Sequence, residues 1–105
     1  MLSEKECIPC QGGVDPLTEK EYSRFLTELD GWRVKDGHHL EKKFDFADFN
    51  TALNFVNQIG NLAESFGHHP NIEFSWGFVN VKIYTHKING LHEADFILAA
   101  KIDKI

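Results

Sequence analysis

Apolar positions along this chain recur with two periods, one of three to four residues and one of two, and the switching between them lays out the elements. Tyr22, Phe25, Leu26 and Leu29 form a helical stripe. Thr18 and Glu21 ahead of it have capping-box spacing, so each can satisfy an orphan amide of the first turn. Gly31 is placed to end this helix. Alternation follows at Trp32 and Val34, then the hairpin pair Asp36-Gly37, then Leu40, Phe44 and Phe46 on one parity with Lys42 as the exception. The longest helical pattern runs from about Asp48 to Phe66, with Ala52, Phe55, Val56, Ile59, Ala63 and Phe66 on one stripe. Asp45 or Asp48 can cap its start. Gly67 can close it, and Pro70 disfavours helical geometry at His69, so the helix should be over by then. Ile72, Phe74 and Trp76 then alternate, Gly77 supplies a turn, and Val79, Val81 and Ile83 alternate on the return. Asn89-Gly90 marks a further turn. The last helix spans about His92 to Lys104, with Ala94, Ile97, Leu98 and Ile102 on one face.

The order is helix, two strands, helix, two strands, helix. Strands that arrive as hairpins predict an α+β domain: a four-stranded antiparallel sheet with three helices on one face. The 105 residues make one domain, 17–105, preceded by an arm over 1–16. The nine phenylalanines are the obvious core filling.

Charge and composition narrow the function. A net charge of -5, with Lys42-Lys43 as the only adjacent basic pair, argues against a nucleic-acid binder. No apolar run is long enough to span a bilayer, and the polar N-terminus lacks a secretory pattern, so the expectation is a cytoplasmic protein. Cys7 and Cys10 form a lone Cys-x-x-Cys without the second pair that a structural zinc site requires. They read as two reduced thiols on a loose arm.

Six histidines are a heavy load for this length. His38 and His39 flank the first hairpin turn and read as exposed turn residues. His68 and His69 lie in the loop after the long helix, and His86 follows Thr85 at the end of the second hairpin. Glu64 is four residues before His68, a spacing at which its carboxylate can orient the imidazole. Asp95 falls in the first turn of the last helix, where a carboxylate is favoured by the helix dipole whatever else it does. Imidazoles, with an ordinary pKa of about 6.5, suit a reaction that removes one proton and delivers another near neutral pH. Three of them with two carboxylates would suit a dehydration. Adjacent His68 and His69 are poorly spaced to chelate one ion, so no metal is expected.

The string Glu64, His68-His69-Pro70, Trp76, Thr85-His86, Gly90-Leu91 and Asp95 resembles the signature of the pterin-4a-carbinolamine dehydratases. The likeness extends over about residues 17 to 105 and includes Gly31-Trp32 and Phe49-Asn50. It implies a hydro-lyase that dehydrates 4a-hydroxytetrahydropterin to quinonoid dihydropterin, recycling the tetrahydrobiopterin-type cofactor of aromatic amino acid hydroxylases without a cofactor of its own. His68, His69 and His86 would be the catalytic histidines, with Glu64 and Asp95 supporting them and Trp32 and Thr85 at the substrate. His92 stands where relatives often carry serine, which weakens the expected cap and places His92 at the pocket rim. A homodimer or homotetramer is implied. Two rival readings are a non-catalytic interaction protein of the same fold and a histidine-based metal-binding domain.

Overall fold

Two hairpins, Arg33–Lys35 (β1) with His39–Asp45 (β2) and Asn71–Ser75 (β3) with Phe78–Ile83 (β4), form the sheet of the computed structural model, which describes residues 1–8 and 12–105. The strand order is β1-β2-β4-β3, antiparallel throughout. The long strands β2 and β4 are therefore central, and the hairpins meet through them. Leu40 lies opposite Ile83 and Phe44 opposite Val79. This register puts the alternating apolar side chains on one face, where Leu40, Val79, Val81 and Ile83 are fully buried. Asp36 and Gly37 both take positive φ, as the tight turn between β1 and β2 requires.

Three helices, Glu19–Leu26 (α1), Phe49–Phe66 (α2) and Glu93–Ile102 (α3), complete the α+β domain. Thr18 and Glu21 form the expected capping box on α1. The helix nevertheless stops at Leu26, five residues before Gly31. Glu28 and Leu29 donate to carbonyls three residues back, so the chain leaves α1 through tightened 3-10-type turns. Of the two candidate caps for α2, Asp48 is the one used, accepting from the Thr51 amide at 2.8 Å. Gly67 ends α2 in the left-handed region at φ 68.

α3 departs from its expected single stripe. Ala94 through Ala100 are all buried, Asp95 and Phe96 among them, so the helix is covered on every side. The sheet and α2 take one flank and α1 another. The N-terminal segment takes a third, with Leu2 and Cys7 buried and Lys101 Nζ donating to the Ser3 carbonyl. The start of the arm is therefore packed at Leu2 and Cys7, while Ile8 and residues 13–16 are exposed. Burial pushes the Cys7 thiol up to about 11, and it donates to the Ala94 carbonyl at 3.7 Å. Cys10 lies outside the described residues.

One further expectation is corrected. Trp76 does not continue β3; it occupies the turn before β4 with Gly77 and is exposed. Lys42, the polar exception on the core parity of β2, sends its ammonium to the Asp103 carboxylate at 2.9 Å and the Asp30 carbonyl at 2.7 Å. That ammonium also lies 4.7 Å from the Phe44 ring centre and 5.8 Å from that of Trp32, and a long stem lets a lysine sit at this edge of the core.

Candidate active site

The end of α2 and the end of β4 open onto one hollow of about 220 Å³, lined by Gly67, His68, His69, Tyr84, Thr85, His86 and Lys87. Local chain chemistry builds both walls. Gly67 terminates α2 so that His68 and His69 leave it as an irregular loop before β3. Thr85 pairs with Gly90 in a one-residue antiparallel bridge that closes the loop carrying His86. His86–Ile88 make a single 3-10 turn inside that loop, and Asn89 ends it at φ 50.

Asp95 is the buried centre of the site. Its Oδ1 accepts from His68 Nε2 at 2.7 Å, and its Oδ2 accepts from the Thr85 hydroxyl and the His92 amide, both at 2.8 Å. Three donors and the N-terminal turn of α3 thus compensate a carboxylate with no exposure of its own. With Nε2–H committed to Asp95, Nδ1 of His68 is the remaining nitrogen. It has no hydrogen-bond partner among the described residues, and no buried side-chain nitrogen or oxygen there is left unpaired, so Nδ1 is not fully buried in a residue that lines the hollow.

Glu64 serves a different imidazole from the one its spacing suggested. It accepts from His69 Nε2 at 2.7 Å, while His68 turns inward to Asp95. Both members of the Glu64–His69 pair are exposed, so the pair orients His69 but adds little stability. His86 is exposed and stacks on Tyr84, with ring centroids 4.2 Å apart and planes at 22°.

Trp32 does not line this hollow. It is buried elsewhere, its indole N–H donating to Asp103 at 3.0 Å, which corrects the expectation that it walls the pocket. Thr85 does line it, with its hydroxyl proton given to Asp95 and its backbone paired with Gly90. His92 is absent from the lining. Its Nδ1 accepts from the Ala94 amide at 3.3 Å, so it caps α3 in place of a hydroxyl residue. The hairpin histidines also differ from expectation: His39 is buried and His38 half-buried, packed towards Tyr84. Tyr84 is a lining residue that sequence reasoning passed over. Its parity with His86 on the polar side of β4 was the available signal. Among the described residues no three His, Cys, Asp or Glu side chains gather as a metal ion would need.

A larger hollow, about 560 Å³, lies between β2, α2 and the C-terminal end, lined in part by Phe44, Phe46, Phe55 and Gln58. It holds no histidine, and its Lys42 and Asp103 already satisfy one another. The smaller hollow, with four titratable groups held by named partners, is the chemically equipped one.

Residues 15–105 match the family described as pterin 4 alpha carbinolamine dehydratase. A Rubrobacter xylanophilus protein named provisionally as a pterin-4-alpha-carbinolamine dehydratase is 52% identical, covering 99% of this chain and 97% of its own. A Rickettsia canadensis protein named in the same way is 57% identical over 98% and 95%. Among solved structures, a transcriptional coactivator/pterin dehydratase from Brucella melitensis superposes with a TM-score of 0.80 at 37% identity, covering 86% of this chain and 97% of that one. A pterin dehydratase-like protein identified as a RuBisCO assembly factor of the alpha-carboxysome superposes with a TM-score of 0.61 at 28% identity, covering 71% and 88%.

Proposed function

Because this chain belongs to the pterin-4a-carbinolamine dehydratase family, we propose that it dehydrates 4a-hydroxytetrahydropterin to quinonoid dihydropterin by acid/base catalysis from the histidines of the hollow. The observation that carries this reading is the buried Asp95–His68 hydrogen bond, which engages Nε2 of an imidazole that lines the hollow and leaves Nδ1 as its remaining nitrogen.

The reaction breaks the N5–H and C4a–O bonds, forms the C4a–N5 double bond and releases water. It needs one group to take a proton and another to give one, and each such group is typically worth about 10²- to 10⁴-fold. His68 is suited to take the N5 proton at Nδ1. Asp95 then stabilises the positive charge that the ring gains, as a buried carboxylate does for an imidazole base in other enzymes. His86, on the opposite wall, is suited to protonate the departing hydroxyl. His69, oriented by Glu64, contributes a hydrogen bond that holds the ring of the substrate. Thr85 keeps Asp95 in register. The substrate is a small pterin and the catalyst uses no cofactor.

One of the structural relatives is reported as an assembly factor, so shared fold alone does not argue for catalysis. The histidine site does. Stopped-flow measurement with freshly generated 4a-hydroxytetrahydropterin tests the reading: the protein accelerates water loss over the spontaneous rate if it is right, and leaves that rate unchanged if it is not.

A further inference from the structure

Behind His86 stands a group of side chains that the proposed chemistry does not use. His86 itself forms no side-chain hydrogen bond among the described residues, and its ring is held by stacking on Tyr84. An exposed imidazole without a hydrogen bond owes its orientation to the surface it lies on.

That surface is itself fixed. The Tyr84 ring packs against His38 at 4.4 Å between centroids and 43° between planes. His38 is tied at both ring nitrogens. Nε2–H donates to Asn89 Oδ1 at 2.9 Å, and Nδ1 lies 3.1 Å from Nδ1 of buried His39, a contact that one proton between the two rings makes a hydrogen bond. The Asn89 backbone N–H in turn donates to the His86 carbonyl at 3.2 Å, closing the turn that carries His86. His38 therefore reaches His86 twice, through Tyr84 to its ring and through Asn89 to its backbone. The first hairpin, remote in sequence, braces the second wall of the hollow.

We propose that Tyr84, braced by His38, is the positioning residue of His86: its ring sets the angle at which that imidazole faces the substrate. The inference deepens the dehydration reading and rests on it for the role of His86. Its geometric content can be read without turnover. A misplacement of about 1 Å in a reacting group can cost about 10²-fold in rate, which sets the scale of the effect.

The test uses Tyr84→Leu, Tyr84→Phe and His38→Ala, with two readouts. In the NMR spectrum of the wild type, the ring protons of His86 should be shifted upfield by the Tyr84 ring current. That shift should vanish in Tyr84→Leu, persist in Tyr84→Phe and diminish in His38→Ala. In the dehydration assay, Tyr84→Leu should lower kcat by about ten- to a hundredfold with KM little changed, and Tyr84→Phe should recover most of the loss. If Tyr84→Leu does not fold, His38→Ala against Tyr84→Phe makes the same comparison. An unshifted His86 in the wild type overturns the proposal, as does a kcat indifferent to both the Tyr84→Leu and the His38→Ala changes. An inactive wild type with a shifted His86 sinks the dehydration reading while leaving the placement of His86 by Tyr84 supported.

Discussion

His68 and Asp95 stand 27 residues apart and come from different sides of the second hairpin, yet a 2.7 Å hydrogen bond joins them beneath the floor of the hollow. The two residues are almost wholly withdrawn from solvent. Asp95 is also the third residue of α3, where it accepts the His92 amide, so one carboxylate serves helix capping and site orientation together.

Asp95→Asn should separate these two duties. An amide is close in size, but its NH₂ end must face either the His68 N–H or the Thr85 and His92 donors, and one side loses its acceptor. Leaving a buried donor unpaired costs about 1–3 kcal/mol. The expected outcome is a loss of that size in chemical denaturation, together with a fall in dehydration rate of about 10²-fold or more. Unaltered kinetics would remove Asp95 from the mechanism.

Gly90→Ala should strain the packing beneath the His86 loop. A Cβ at Gly90 would lie 2.6 Å from Pro16 Cβ and 2.8 Å from Pro16 Cγ, inside any real carbon contact. Pro16 is a stiff ring, but it is exposed and can retreat. The substitution should therefore cost about 1–3 kcal/mol, towards the low end. Adding Pro16→Gly should return part of the loss; a double variant whose loss is the sum of the two singles would show that the two sites do not touch.

His39 should make stability depend on pH. Burial, then the charges of Lys82 and His38, hold its imidazole below its ordinary value, with Glu41 and Asp36 opposing. The unfolded chain then takes up the proton more readily than the folded one. The full contribution is present above the ordinary value of about 6.5, and it is lost as pH falls through the lowered folded value. Melting temperature against pH, wild type beside His39→Gln, should show the wild type losing ground relative to the variant as pH falls below that range. A constant gap between the two curves would contradict this.

Much of this was legible in the residues because local rules dominate where they were applied. The Thr18–Glu21 box, the Gly67 stop and the alternation of β4 depend on near neighbours, and the structure shows them as read. The misreadings share the opposite property. Trp32 faces Asp103, 71 residues away. Glu64 sits at helical spacing from His68 but pairs with His69, because Gly67 breaks the helix between them and Asp95 competes for His68. His38 looked like a turn residue because Asn89 and Tyr84, which cover it, arrive only with the second hairpin. Which histidines cluster is a property of tertiary packing, and no local pattern carries it.

Proton movement by His68 and His86 across a single hollow is checked by the dehydration rates of His68→Ala and His86→Ala, measured alongside their circular dichroism. Each variant should keep the folded spectrum and lose about 10²- to 10⁴-fold in kcat. Folded variants that turn over as fast as the wild type would contradict it.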